Sequence, residues 1–292
     1  MDTVSAFVPF SLNVGGRLQE ICEPWVMGIV NVTPDSFFPL SRVEDEAAVA
    51  RRVRQVVDEG ARIIDVGACS TRPGSQSVSL EEEVARLRRF LPVVLREAGD
   101  MIVSVDTFRA DVARMCVEEY GVHIINDVSG GEGDDGMEQT VARLGVPYVL
   151  TRRMSPRSSV RETDGSPAVA HALVWLSRRI RSLREKGVAD ILIDPGLGFD
   201  TTRAEDFALL AALPDFALLG QPLLVGLSRK RIVTETLGIS STEALEGTTA
   251  LHTVALLAGT HILRVHDVRP ACQAVALVTA LRRQQAFIVN PA

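Results

Sequence analysis

The chain predicts a single-domain α/β fold, a closed (β/α)8 TIM barrel, and three observations predict it. Short runs rich in Val, Ile and Leu alternate with longer segments of helical periodicity, which argues for βα units around a parallel sheet. The runs are apolar throughout, as strands buried on both faces must be. No GxGxxG turn follows the first run, which disfavours the open doubly wound sheet that is the alternative.

The eight runs, in order, are WVMGIV (25–30), RIIDV (62–66), MIVSV (101–105), VHIIN (122–126), VPYVL (146–150), DILID (190–194), PLLVG (222–226) and HILRV (261–265). Between the second and third, Leu80, Val84, Leu87, Leu91 and Val94 step by four and three and so share one helix face. Ser79 followed by Glu82 reads as a capping box at the start of that helix, where three Glu residues suit the positive end of its dipole. Over 166–186, Leu173, Leu176, Ile180 and Leu183 align, and Arg178, Arg179, Arg181 and Arg184 are expected to face water. No segment reads as an interdomain linker. The division expected is an N-terminal extension over 1–24, a barrel over 25–284 and a tail over 285–292.

At 292 residues, 46% hydrophobic and only 5% aromatic, the chain suits an aliphatic-cored protein rather than a base-stacking surface. A net charge of −6 provides no basic field for nucleic acid or an anionic membrane, so any anion site must be local. Cys22, Cys69, Cys116 and Cys272 are widely spaced and form neither a CxxC pair nor a disulfide framework. With no basic, apolar leader at the amino terminus, a cytoplasmic setting is expected.

Polar residues follow every run: Asn31; Asp65; Asp106 with Thr107; Asn126 and Asp127; Arg152 and Arg153; Asp194; Ser228, Arg229 and Lys230; Arg264, His266 and Asp267. One such residue is an ordinary turn or cap, but eight sets in phase define one rim of a barrel, where such folds place their active sites. Asp106 and Asp194 end apolar strands, so their carboxylates should be partly buried and need donors. Carboxylates mixed with Lys230, Arg264 and Arg72 suggest a ligand with both donor-rich and anionic parts.

Seven motifs, MGIVNVTPDSF, DVGACSTRPGS, VDTFRADVA, IINDVSG, LIDPGLGF, LVGLSRK and RVHDV, stand in the order of the dihydropteroate synthase family, which the chain resembles from about Gly16 to Leu281. The resemblance implies a barrel enzyme joining 6-hydroxymethyl-7,8-dihydropterin diphosphate to 4-aminobenzoate with release of diphosphate, a homodimer, and Mg2+ as cofactor. It implies that Asp106, Asn126, Asp194 and Lys230 hold the pterin, while Arg264 stacks on it and helps hold the diphosphate. Asn31, Arg72 and His266 would receive the diphosphate, with Asn31 also reaching the metal. Asp35, Phe37, Thr71, Pro73 and Ser228 would shape the aminobenzoate site, and Asp106, Lys230, Arg264 and Asp35 would carry the catalysis.

Two alternatives stay open: a pterin-binding paralogue without the reaction, and a pterin-dependent methyltransferase barrel. Departures from the family pattern are Cys69 in place of Glu, Asp200, Thr201 and Asp206 after the PGLGF segment, Arg231 after SRK, and Thr151 and Arg152 in place of His and Met. Cys69 is expected to be a packed residue, Arg231 to face solvent at a helix start, and Arg152 to point outward.

Overall fold

The apolar runs become parallel strands because each must bury both faces. In the computed structural model, which describes residues 7–32, 46–69, 78–153 and 166–289, they are β3 (Trp25–Asn31), β4 (Ile63–Gly67), β5 (Ile102–Asp106), β6 (Ile124–Asp127), β7 (Tyr148–Thr151), β8 (Ile191–Asp194), β9 (Leu224–Val225) and β10 (Ile262–Val265). Ladders join them in chain order from β3 to β8, and β10 lies between β3 and β9. A parallel bridge between Ile193 and Leu223, with Ile193 N donating to Pro222 O at 2.9 Å, links β8 to the β9 strand and closes the ring.

The helices between strands are α1 (Glu46–Asp58), α2 (Leu80–Ala98), α3 (Ala110–Tyr120), α4 (Met137–Leu144), α5 (Ser166–Glu185) and α6 (Arg203–Ala211). The β9–β10 connection holds two, α7 (Arg231–Leu237) and α8 (Leu245–Leu257), split at Gly238, and α9 (Val268–Val289) follows β10. That makes nine α-helices among the described residues where eight were expected. At the start of α2, Ser79 Oγ accepts from Glu82 N at 3.2 Å, but the Glu82 carboxylate pairs with Arg86 instead of closing the box. On α5, Arg178, Arg181 and Arg184 are exposed as expected, while Arg179 is half-buried. Arg179 pairs with Glu138 at 2.8 Å, and Arg184 donates to the Ala189 carbonyl.

Two apolar layers result. The outer faces of the strands pack against the helices, while Met27, Ile63, Ile124, Val149, Leu192, Leu224 and Ile262 fill the lower lumen. Beneath them, where the sequence predicts only an N-terminal extension, lies a hairpin, β1 (Phe10–Val14) and β2 (Arg17–Ile21), antiparallel around Gly15 and Gly16. Both glycines have positive φ, +57° and +79°, as a two-residue hairpin turn of this twist requires. Leu12, Val14 and Ile21 from the hairpin join the lumen cluster and plug the amino-terminal end of the barrel. His261 Nδ1 accepts from Leu223 N at 3.0 Å and Nε2 meets Val8 O at 3.1 Å, which ties the segment down. With the lower end plugged, only the carboxyl-terminal rim can admit a ligand.

Candidate active site

Register decides which polar residues enter the lumen. Asp65 pairs with Ser104, and Asp106 lies between Gly67 and Asn126; with side chains alternating along each strand, Asp65, Asp106 and Asn126 point inward above Ile63 and Ile124. Arg264 of β10 crosses to them. Its Nε donates to Asp65 Oδ2 at 2.6 Å and its Nη2 to Asp106 Oδ2 at 2.7 Å, while Asn126 Nδ2 donates to Asp65 Oδ2 at 3.0 Å. Burial pushes the Asp106 carboxyl up to about 7, against the pull of the Arg264 cation. Burial lowers the Arg264 guanidinium too, but Asp65 and Asp106 more than compensate and hold it above its ordinary value. Asp65 was visible in the sequence only as one polar residue at a strand end. It is the buried carboxylate that fixes both Arg264 and Asn126.

Across the lumen, Asp194 at the end of β8 accepts from Gly196 N at 2.8 Å. Burial raises its carboxyl, and the Lys230 ammonium opposes the rise. Lys230, just before α7, donates to Leu197 O and sits 4.1 Å from the centre of the Phe199 ring. Burial brings its ammonium down to about 8. The loop carrying Lys230 is bent by Arg229, which holds φ +56° without being glycine. That strain is offset by a forked pairing of Arg229 with Asp267, at 2.8 and 3.0 Å, and by donation to Thr242 O at 3.0 Å. Asp267 therefore holds a loop together and leaves the pocket to its neighbours.

A third edge lies between β3 and β10. Asn31 ends β3 with its amide oxygen against Gly67, where a Cβ would stand 2.8 Å from it. His266 N donates to Ser228 Oγ at 3.2 Å, and His266 O accepts from Arg52 Nη2 at 2.6 Å. Arg52 reaches from α1 to Ile29 O as well, so one buried guanidinium ties the upper ends of β3 and β10 together. Burial and the nearby Arg264 cation depress the His266 imidazole to about 3, which makes it neutral at physiological pH. Asp35, Phe37, Thr71, Arg72 and Pro73 lie outside the described residues.

Several other strand-end residues turn out to be supports. Asp127 faces the helices, and its carboxylate accepts from Ser129 N, Ser129 Oγ, Gly131 N and Tyr148 OH. Arg153 pairs with Asp200 at the surface. Arg152 does not point into solvent as expected: it is 3% exposed, and Glu205 and Asp206 favour its charge against burial. Arg231 is exposed at the start of α7, as expected, with Nη2 on Thr201 O at 2.9 Å. Cys69 is packed beside Arg109 and Glu83, and burial pushes its thiol up to about 12, so it is no nucleophile. Glu83, fully buried, accepts from Thr107 Oγ1 at 2.7 Å and pairs with Arg109. No strand-end pattern could have flagged it, because it comes from the first turn of α2.

The described rim thus presents two buried carboxylates, Asp106 and Asp194, an amide at Asn126, and two cations, Lys230 and Arg264. This set can accept from paired N–H donors, donate to ring acceptors and hold an anion beside them. The family model described as pterin binding enzyme matches residues 27–266. The dihydropteroate synthase of Escherichia coli (strain K12) is 35% identical over 270 residues, covering 91% of this chain and 94% of the relative. The structure of Xanthomonas albilineans dihydropteroate synthase with 4-aminobenzoic acid superposes with a TM-score of 0.83 at 37% identity, over 94% of this chain and 99% of that one. That of the Coxiella burnetii enzyme in complex with pteroic acid gives 0.85 at 32% identity, over 94% and 98%. A barrel of this register, matched over nearly its whole length, belongs to the pterin-binding enzymes and, within them, to the dihydropteroate synthase family.

Proposed function

We propose that the chain condenses 6-hydroxymethyl-7,8-dihydropterin diphosphate with 4-aminobenzoate to give 7,8-dihydropteroate and diphosphate, the transferase step of folate biosynthesis. The observation that carries this reading is the buried Asp65–Arg264–Asp106 triad facing Asp194 and Lys230 across the lumen. In it, Asp194 accepts paired donors from the aminopyrimidinone edge, Asn126 and Lys230 satisfy the ring's remaining polar atoms, and Arg264 lies against the pterin face. Asn31 and His266, with Arg72 outside the described residues, receive the diphosphate. Ser228, with Asp35, Phe37, Thr71 and Pro73 outside the described residues, shapes the aminobenzoate side. The anion edge at Asn31, Arg264 and His266 favours the synthase over a pterin-binding paralogue or a methyltransferase barrel, neither of which needs to receive a diphosphate.

The chemistry follows from the charges. As the C–O bond breaks, negative charge grows on the leaving diphosphate, and Arg264 stabilises it more than it does the ground state. His266 contributes an N–H from a neutral imidazole rather than a second cation. Diphosphate leaves first, Asp106 stabilises the resulting pterin cation, and the aniline nitrogen captures it with loss of a proton to water. An aniline is already neutral near pH 7, so no strong base is required. The residues fit magnesium as a shared ion: Asn31 offers one hard oxygen, and among the described residues no three His, Cys, Asp or Glu side chains group to cage a metal. Held at Asn31, the ion would supply charge neutralisation to the leaving group.

The test measures diphosphate and dihydropteroate together from the purified chain with both substrates and Mg2+. Matched formation of both, lost in Lys230→Ala, is expected; pterin binding without either product would overturn the reading. Run across pH, kcat/KM for the pterin substrate should be bell-shaped. It rises as Asp106 ionises at about 7 and falls as Lys230 loses its proton at about 8. A flat profile between pH 6 and pH 9 would contradict these roles.

A homodimer and a cytoplasmic setting complete the proposal. Leu277 and Leu281 on α9 are 74% and 46% exposed, and Val254 on α8, the helix packed against α9, is 46% exposed; apolar side chains of this kind are what a second copy would cover. Sedimentation as a monomer at micromolar concentration would exclude the dimer. Among the described residues no helix is long and apolar enough to cross a membrane.

A further inference from the structure

Lys230 is held by a loop rather than by its own helix. Its ammonium donates to Leu197 O and stacks on Phe199, and its aliphatic chain lies so close to Gly198 that a Cβ there would stand 2.8 Å from Lys230 Cδ. The loop from Pro195 to Thr202 therefore decides where that charge points. It is fastened from behind by one side chain of α6. Asp206 Oδ1 accepts from Gly198 N at 2.7 Å and from Thr201 Oγ1 at 2.6 Å, and Thr201 Oγ1 also accepts from Gly198 N at 3.1 Å. Asp206 is 1% exposed, with Arg152 buried beside it and Glu205. A carboxylate so placed costs stability unless donors and a counter-charge meet it, and here backbone, hydroxyl and guanidinium all do.

We propose that Asp206, with Thr201 and the buried Arg152 as its supports, is a positioning residue for Lys230, fixing loop 195–202 so that the ammonium faces Asp194 in the pterin pocket. This rests on the pterin reading of the pocket and adds to it a residue that touches no substrate. It also gives a place to three departures from the family pattern, at positions 152, 201 and 206, which act as one unit behind the pocket. The charged groups facing Lys230 are Asp194 from β8, Arg264 from β10 and Asp206 from α6, so the loop balances attraction from two carboxylates against one cation.

The test separates the substrates. Asp206→Ala leaves Gly198 N and the Thr201 hydroxyl without their acceptor, and it should weaken binding of the free pterin about tenfold, by titration calorimetry. KM for the pterin diphosphate should rise in step, with KM for 4-aminobenzoate unchanged. Thr201→Val should shift the same parameter in the same direction by less, and it provides the measurement if Asp206→Ala does not fold. Asp206→Asn keeps an oxygen acceptor for Gly198 N and should restore most of the pterin affinity. A folded Asp206→Ala with wild-type pterin affinity, or one losing both substrates equally, would overturn the inference while leaving the pterin reading intact. A wild-type chain that bound no pterin would overturn both.

Discussion

Arg264→Met is expected to slow turnover sharply and to destabilise the fold at once. The guanidinium bridges Asp65 and Asp106, whose side chains are 0% and 11% exposed, and among the described residues no other cation donates to either. Removing one member of a buried ionic set leaves the rest uncompensated, at a cost of about 3–5 kcal/mol. Since Arg264 is the cation that opposes the upward push on Asp106, the Asp106 carboxyl should rise further and spend less time ionised near neutral pH. Loss of a cation from the departing diphosphate should lower kcat by a further ~10²–10³. Thermal melting and steady-state rates at pH 8 separate the two effects. Arg264→Lys keeps a charge but not the fork that spans two carboxylates, so it should recover more stability than rate. If Arg264→Met melted like wild type, the triad would not be the structural keystone proposed here.

Gly196→Ala should be as damaging for a different reason. Gly196 has φ +83°, and a Cβ built on it would stand 1.8 Å from the Arg152 carbonyl oxygen. That neighbour is backbone, carried by the residue whose N–H donates to Asp194 O at 2.9 Å, so it cannot swing aside. The same peptide supplies the N–H that Asp194 accepts. Alanine should therefore cost more than about 4 kcal/mol, lower the melting temperature by about 10 °C or more, and abolish pterin binding. Gly187→Ala is the control. Its φ is +93° with nothing within 4 Å of the added carbon, so it pays backbone strain alone, about 1–2 kcal/mol. Equal losses at the two sites would mean that strain, not the contact with Arg152, dominates.

How much of this was legible beforehand differs by level. All eight barrel strands were found within two residues, because strands buried on both faces carry an apolar run that local inspection detects. The β1–β2 hairpin was not, since its alternation of apolar and polar residues over five positions is weak until the barrel supplies something to plug. The α7–α8 break is set by Gly238, which ends α7 with φ +67°. At the site, Asp106, Asn126, Asp194, Lys230 and Arg264 could be listed as strand-end residues. The triad could not, because Arg264 meets Asp65 across 199 positions of chain.

Local chemistry, then, was enough to place the rim: each strand must end where its apolar run ends, and the residue there must be polar because it meets a ligand, a cap or water. Which of those partners each residue takes was decided only by packing. Asn126 and Asp127 are neighbours, yet alternation along β6 sends Asn126 into the lumen to Asp65 and Asp127 outward to Tyr148. Arg152 looked like a surface cation, and α6 buries it against Glu205 and Asp206. Residue types are written along the chain, but a buried charge is settled by its counter-charge, and that comes from another element.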